Sequence, residues 1–510
     1  MKKTIVIGLD GANWDLLEPW IEKEELPNLK YLKDNGCWAN SVSQLPTVTC
    51  PNWKCYSTGK NPGKLGVFWW EQVDREKKKL LSVCKSDLFD SLEIFDYIGN
   101  SGFRVGVINM PTTYPPKKVN GFMISGHPVV EERDYTYPRS LEKELKEKYN
   151  YRINPVSQTD TAENVRKAAE EIYSLIDLRF RVGMDFLKNV DFLQITVFYI
   201  NILQHFLFDE EATLKGWRII DRNIGNFIDN KYNIILLSDH GIHRVYRTFY
   251  KNTWLEREGY LKLKRSYWDR IIKLQRDLGI TRERLSWLTH KLRVKGFLKK
   301  YLPKEIYESI PSKDGSLFGE SGIPEHKIDW ENSKALATGQ GSIYLLLKRD
   351  DKEYNKVREE IIRKLEKLRT DNNLKVAEKV YRSEEIYHGK YLDQAPDIIY
   401  EQGRGVYSVA GIGRKDYFAE PTKWKAENLK YGIFLAYGPD IRDSGKIDDI
   451  SILDIAPTIL HLMNIPIPKD MDGRVLKEIF KEEREITYQS EDEKEKIRER
   501  IMKLKKSGKV

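Results

Sequence analysis

The stretch NIILLSDHG, residues 233–241, joins an uninterrupted aliphatic run to an acid, an imidazole and a glycine. A short apolar run of this kind suits a strand buried on both faces, as in parallel sheets. Working outward, TIVIGLD at 4–10, FRVGVINM at 103–110 and DFLQITVFY at 191–199 have the same character. Amphipathic helical stretches lie between them, among them WDLLEPWIEKEELPNLKYLKDNG at 14–36, which ends at a glycine. Strands alternating with helices argue for an α/β fold, a mainly parallel sheet with helices on both faces. Three of the runs finish in polar groups: Asp10, Asn201 and the pair Asp239–His240. In an open parallel sheet, sites form beyond the carboxyl ends of the strands, so these residues are candidates for chemistry.

The alternation resumes late in the chain with GSIYLLL, KVREEIIRKLEKLRT, PDIIYEQG, YGIFLAYGPDI and DIAPTILHLM. Between them, residues 254–330 are helical in pattern, basic and rich in aromatics, and they read as a helical cap-like insertion. The expected organisation is a core of residues 1–253 and 331–480, the insertion at 254–330, and a helical tail over 481–510.

The chain has 510 residues, of which 40% are hydrophobic and 32% charged, with a net charge of +9. That is a globular profile with enough apolar material for a substantial core. The Lys, Arg and Glu content is of a kind common in heat-adapted proteins. The basic balance favours anionic partners such as phosphate esters, although a solvated lysine excess would look the same. No basic-aromatic RNA motif or zinc-finger spacing points to nucleic acid. Four cysteines without a CxxC pair do not make a disulfide framework. No segment has the roughly 18 uninterrupted apolar residues of a membrane helix. The opening MKKTIVIGLDG is too short in apolar length for a signal-peptide core. A cytoplasmic, reduced setting is the expectation.

Asp10 ends the first strand-like run, and Gly11 lets the chain turn there. Asp239 and His240 can both reach one cation if the chain turns sharply, and carboxylate plus imidazole is a normal zinc-type set. A capping Asp with a buried His would give the same pattern. In LPTVTCPNWKCYSTGKNPGKLG, residues 45–66, Thr49 precedes Cys50-Pro51-Asn52, where a helix can begin. A hydroxyl at a helix N-terminus sits in a positive field suited to a phosphoryl group. A neighbouring divalent cation would make it a nucleophile. Thr49 could equally serve only as a helix cap. Thr47, Ser57 and Thr58 are rival hydroxyls, and Cys50 is a rival thiol. Asn201 and His205 lie four apart in YINILQH, so on a helix they share one face.

Together, IGLDGANWDLL, TCPNWKCYSTGKNPGKLGV, NILQHFLFDE, LLSDHG and DIAPTILHLMNIPIPKDMDGRVL, in this order and spacing, resemble the alkaline phosphatase superfamily in its type I phosphodiesterase and nucleotide pyrophosphatase branch. The resemblance spans nearly the whole chain. It implies a three-layer α/β sandwich and two divalent ions, usually zinc, at strand ends, with Mn²⁺ as an alternative. It places one ion on Asp10, Asp239 and His240 beside a nucleophilic Thr49, and it assigns Asn52 to steadying a phosphoryl oxygen. For the other ion it implies an Asp and a His four apart plus a late His. Those positions fall on Asn201, His205 and Asn428, the last found four residues before Gly432. Two neutral amides and one imidazole would hold a zinc-class ion weakly. His243 could substitute as a ligand if its loop folds back, or be a local loop residue; His127 and His388 lie near turn signals without a recognisable partner, and His461, on an apolar helix, reads as structural.

The expected activity is metal-dependent hydrolysis of a phosphodiester or pyrophosphate through a covalent phospho-threonine at Thr49. A catalytically silent binding relative and a single-metal phosphoryl or phospho-alcohol transferase are the alternatives. The substrate would be a phosphate ester of a nucleotide, a sugar or a lipid-linked alcohol.

Overall fold

The computed structural model describes residues 2–82, 86–128, 132–229, 231–264, 325–412 and 414–490. At its centre the strand Lys3–Leu9 runs parallel to Phe192–Val197 on one side and Tyr232–Leu237 on the other. Val105–Ile108 and then Gly121–Ile124 continue the parallel order beyond Phe192–Val197. On the opposite flank Tyr431–Tyr437 is antiparallel to both Tyr232–Leu237 and Cys37–Val42. The ten-stranded sheet is therefore parallel at its centre and mixed at its edges.

Side chains alternate across this sheet as a pleated strand requires. Ile5, Ile7, Leu9, Ile234 and Leu236 face one apolar core, under the helices Ala162–Leu187, Tyr199–Leu207 and Glu211–Gly225. Val6, Ile235 and Leu237 face the other, under Thr49–Thr58, Ile94–Asn100 and Ile455–Leu462. The three-layer sandwich expected from the alternating pattern is the one observed. Its consequence for function is register. Leu9 lies opposite Val197, and Gly8 opposite Leu237. The residues that follow these three strands therefore emerge at one edge.

The helical stretch at 14–36 is two helices, Trp14–Glu22 and Pro27–Asp34. Glu24 takes a positive φ of 60° between them, and Pro27 opens the second.

A smaller unit packs a four-stranded sheet, made of Ala335–Ala337, Ser342–Leu345, Ala377–Arg382 and Ile398–Gln402, against the helix Lys352–Lys367. Its apolar core includes Trp254, Leu255, Tyr260, Leu261 and Ile328. Leu263 pairs with Ile328. The two ends of the segment read as a cap, 254–263 and 325–330, are thus built into this unit's core. Residues 265–324 of that segment lie outside the described residues, as does the tail from 491 onward. Among the described residues no helix is long and apolar enough to cross a membrane.

Candidate metal and nucleophile site

Asp10, Asp239 and His240 meet at the carboxyl edge of the central strands, each offering a ligand atom within 4.8 Å of the others. All three are fully buried. Among the described residues they are the only such group of three. His240 Nε2 lies 3.2 Å from Asp239 Oδ2 and 3.8 Å from Asp10 Oδ1. The His240 ring donates Nδ1–H to the Gly241 carbonyl at 2.9 Å, which leaves the Nε2 lone pair aimed at the carboxylates.

Neighbouring groups hold this arrangement. Trp53 Nε1 donates to Asp10 Oδ2 at 3.0 Å. A Cβ on Gly8 would fall 2.3 Å from the Trp53 ring, so only glycine lets the indole reach that far under the first strand. Gly11, at φ +71°, donates its N–H to Asp239 Oδ1 at 3.3 Å. Ser43 Oγ donates to the Asp239 carbonyl, and Ser238 Oγ to that of Ala12, both at 2.7 Å.

Asp10 Oδ1 and Asp239 Oδ2 remain buried with no hydrogen-bond partner. Burial, and then the charge of Asp239, raises the Asp10 carboxyl well above its usual range. Burial pushes Asp239 up to about 7, against hydrogen bonds from Gly11 and Thr49, and lowers His240 to about 4. Two buried acids with unpartnered oxygens beside an imidazole lone pair form a donor set that fits a divalent cation.

The sign of the Asp239 shift sets a pH dependence for the metal-free protein. Its folded value lies above the unfolded one, so the stability it contributes is present below about pH 4 and is lost as pH rises through about 7. His240, lowered on folding, acts in the opposite sense between about pH 6.5 and 4. Comparing chelator-treated wild type with Asp239→Asn isolates the first effect. Wild type should lose thermal stability relative to the variant between pH 5 and 8, as read by calorimetry.

Thr49 is the first residue of the helix Thr49–Thr58; the capping position is Val48, which makes no side-chain cap. Thr49 is therefore not occupied as a cap. Its Oγ1 lies 3.3 Å from His240 Nε2. The rival hydroxyls are engaged elsewhere. Thr47 Oγ1 donates to Gln340 Oε1 at 3.2 Å, Ser57 Oγ to Glu93 at 2.7 Å and Thr58 Oγ1 to the Lys54 carbonyl at 2.6 Å. Cys50 is buried in the apolar core.

Asn52 is buried in the same helix. Its Oδ1 accepts from Gln44 N at 2.8 Å, and its Nδ2 faces the carbonyls of Gln44, Pro46 and Val48 at 3.0–3.2 Å. These contacts brace the loop that leads into Thr49.

Asn201 lies against the loop after the first strand, Asn428 against the loop before Thr49, and His205 against the strand that carries Asn428. A Cβ on Gly11 would lie 2.6 Å from Asn201 Oδ1. His205 Nδ1 donates to the Ala426 carbonyl at 2.8 Å, and its ring stacks on Trp424 with centroids 4.0 Å apart. Burial lowers the imidazole to about 3, so it is neutral. Asn428 Nδ2 donates to the Thr47 carbonyl at 2.8 Å. The Oδ1 atoms of Asn201 and Asn428 are both buried without a partner. Three neutral donors without a carboxylate do not fit a zinc-class ion.

Four further histidines make their contacts elsewhere. His243 Nδ1 accepts from Gly405 N at 3.0 Å, and His127 stacks on Phe198 at 4.7 Å. His388 contacts Asp472 at 2.9 Å, and His461 packs on Phe480 at 5.2 Å.

Trp53, Trp424 and Gln340 escape a reading of the sequence. Trp53 carried a signal, being one helical turn after Thr49. Gln340 carried none; its Nε2 donates to the buried Glu427 beside Asn428. Trp53→Phe keeps an aromatic ring and removes the donor to Asp10. It should weaken divalent-ion affinity by about tenfold or more, as measured by calorimetric Mn²⁺ titration.

The profile of the type I phosphodiesterase / nucleotide pyrophosphatase family matches residues 4–428. No curated protein sequence matches the chain. Phosphonoacetate hydrolase from Sinorhizobium meliloti 1021, in complex with phosphonoacetate, is 12% identical with a TM-score of 0.56, over 89% of this chain and 94% of that one. Human ectonucleotide pyrophosphatase / phosphodiesterase 5 is 15% identical with a TM-score of 0.50, over 94% and 100%. An inactive form of the murine protein, in complex with AMP, gives 15% and 0.50, over 91% and 96%. At these identities the structures share the fold. The family profile spans the segments that carry Asp10, Thr49, Asp239 and His240, and the chain belongs to the type I phosphodiesterase / nucleotide pyrophosphatase family.

Proposed function

We propose that the protein hydrolyses phosphodiester or pyrophosphate bonds with one divalent ion, of the zinc class, held by Asp10, Asp239 and His240. One observation carries this reading: the Thr49 hydroxyl rests on the lone-pair nitrogen of His240, beside two buried carboxylate oxygens without partners. The ion would neutralise that charge and lower the pKa of the hydroxyl.

The chain's own residues do the rest. Trp53 and Gly11 fix the two carboxylates. The loop braced by Asn52 delivers Thr49 at the start of a helix, where backbone dipoles favour a negatively charged phosphoryl group. Thr49 Oγ1 bonds to phosphorus as the ester oxygen leaves, and water then breaks the Thr49 ester. Exclusion of bulk water from this buried edge strengthens each of these electrostatic contacts.

No step is assigned to a second ion, because Asn201, His205 and Asn428 do not suit one. The AMP bound by a murine relative makes nucleotides a reasonable first substrate class, with sugar and lipid-linked phosphates beside them. The test is turnover of bis(p-nitrophenyl) phosphate by the purified chain. Activity should require added Zn²⁺ or Mn²⁺ and vanish on chelation. Absence of turnover with every metal and with nucleotide diesters would overturn the reading.

A further inference from the structure

Residues 43–48 carry the chain from the strand Cys37–Val42 to Thr49, the first residue of its helix. They form neither helix nor strand, so their polar groups need partners of other kinds. Asn52 serves Gln44 and Pro46 from within, and Asn428 serves the Thr47 carbonyl. Two further partners come from the smaller unit, far along the chain. The Tyr387 hydroxyl donates to the Leu45 carbonyl. Thr47 Oγ1 donates to Gln340 Oε1 at 3.2 Å.

Both contacts rest on packed surroundings. Tyr387 is 3% exposed, its ring lies 5.3 Å from that of Phe68, and it shares a small apolar cluster with Leu45, Phe68, Ala395 and Ile399. Gln340 is also 3% exposed and sits in the turn between Ala335–Ala337 and Ser342–Leu345. Three contacts fix that turn. Gln340 Nε2 donates to Glu427, and Lys251 Nζ donates to the Gly339 carbonyl. The Trp69 ring covers Gly339 so closely that a Cβ there would fall 1.6 Å from it. Lys251 and Glu427 are fully buried, and no step of the proposed reaction uses them. Burial of such groups costs free energy. Here both orient the turn that meets Thr47.

Position matters at this loop. Thr49 Oγ1 lies 3.3 Å from His240 Nε2. A displacement of about 1 Å at a reacting group costs about a hundredfold in rate. The smaller unit supplies none of Asp10, Thr49, Asp239 and His240, yet it grips the loop at Leu45 and Thr47, just before the nucleophile.

We propose that the smaller unit, through Tyr387 and Gln340, positions the nucleophile loop, so that a unit without a reacting group sets how fast Thr49 attacks phosphorus. The inference rests on the proposed role of Thr49.

The test combines kinetics of the full zinc-loaded chain on bis(p-nitrophenyl) phosphate with hydrogen exchange of the same chain, read by mass spectrometry. Tyr387→Phe removes one hydroxyl and keeps the ring. It should lower kcat about tenfold and speed exchange over residues 43–52. Adding Thr47→Val removes the second contact and leaves Gln340 on Glu427. The fall in kcat should then reach about a hundredfold, with KM and calorimetric Mn²⁺ affinity within about threefold of wild type. Amides of residues 43–52 should exchange at least about tenfold faster in this double variant. Those of Lys3–Leu9 should keep wild-type rates, which reports an intact fold. A kcat within about threefold of wild type, a fall carried by KM or by lost Mn²⁺ affinity, or unchanged exchange over 43–52 each overturns the proposal. Tyr387→Phe alone decides the matter if the double variant does not fold. Absence of wild-type turnover with every metal would instead sink the reaction, and the exchange rates would still decide whether the smaller unit holds the loop.

Discussion

Thr49→Ala should lower turnover of a chromogenic phosphodiester by at least about a thousandfold, with the bound metal retained. The size follows from the kind of group removed. Four aliphatic hydroxyls, one phenol and two thiols occupy the segment 47–58, and of these only the Thr49 hydroxyl contacts the Asp10–Asp239–His240 cluster. Without it, no side chain in that segment is placed to form a bond to phosphorus. Thr47→Val tests selectivity. Its hydroxyl bonds Gln340, so that variant should stay within about tenfold of wild type by the ordinary worth of one hydrogen bond. A Thr49→Ala protein as active as wild type would show that the hydroxyl only orients His240.

Converting the neighbouring group to an anionic one should change the metal count. Asn201→Asp with Asn428→His replaces two neutral amides by a carboxylate and an imidazole around His205, an ordinary zinc set. Bound zinc should rise from one ion per chain to two, and hydrolysis of a simple diester should accelerate as a second cation becomes available for the leaving oxygen and water. Plasma mass spectrometry after gel filtration reads the count. A count that stays at one would show that the three side chains do not converge on a single position. The design risks strain at one point. Asn428 now donates to the Thr47 carbonyl, and the histidine must make that contact with a ring nitrogen. Asn201→Asp alone therefore serves as the intermediate case.

Much of this architecture is legible in the chain because burial leaves a continuous apolar signature. The runs ending at Asp10 and Asp239 are buried on both sheet faces, so their polar tips stand out. Parallel register then makes those tips neighbours without further information. What escapes is contact between distant segments. Trp53 reaches Asp10 only because Gly8 has no side chain, a fact of packing rather than of pattern. Asn52 is another case: its contacts with three carbonyls and an amide of its own loop are set by the path of that loop and have no mark in the sequence. Trp254 and Leu261, at the start of the segment 254–330, join the core of the smaller unit through contacts with segments far along the chain, which no local pattern displays.

The central claim is that Thr49 carries the phosphoryl group. Rapid acid quench of the zinc-loaded enzyme during turnover of bis(p-nitrophenyl) phosphate, followed by peptide mass spectrometry, tests it directly. The account predicts a phosphoryl adduct on Thr49, absent after chelation and absent in Thr49→Ala. Sustained turnover with no adduct at any time, or an adduct on another residue, would contradict it.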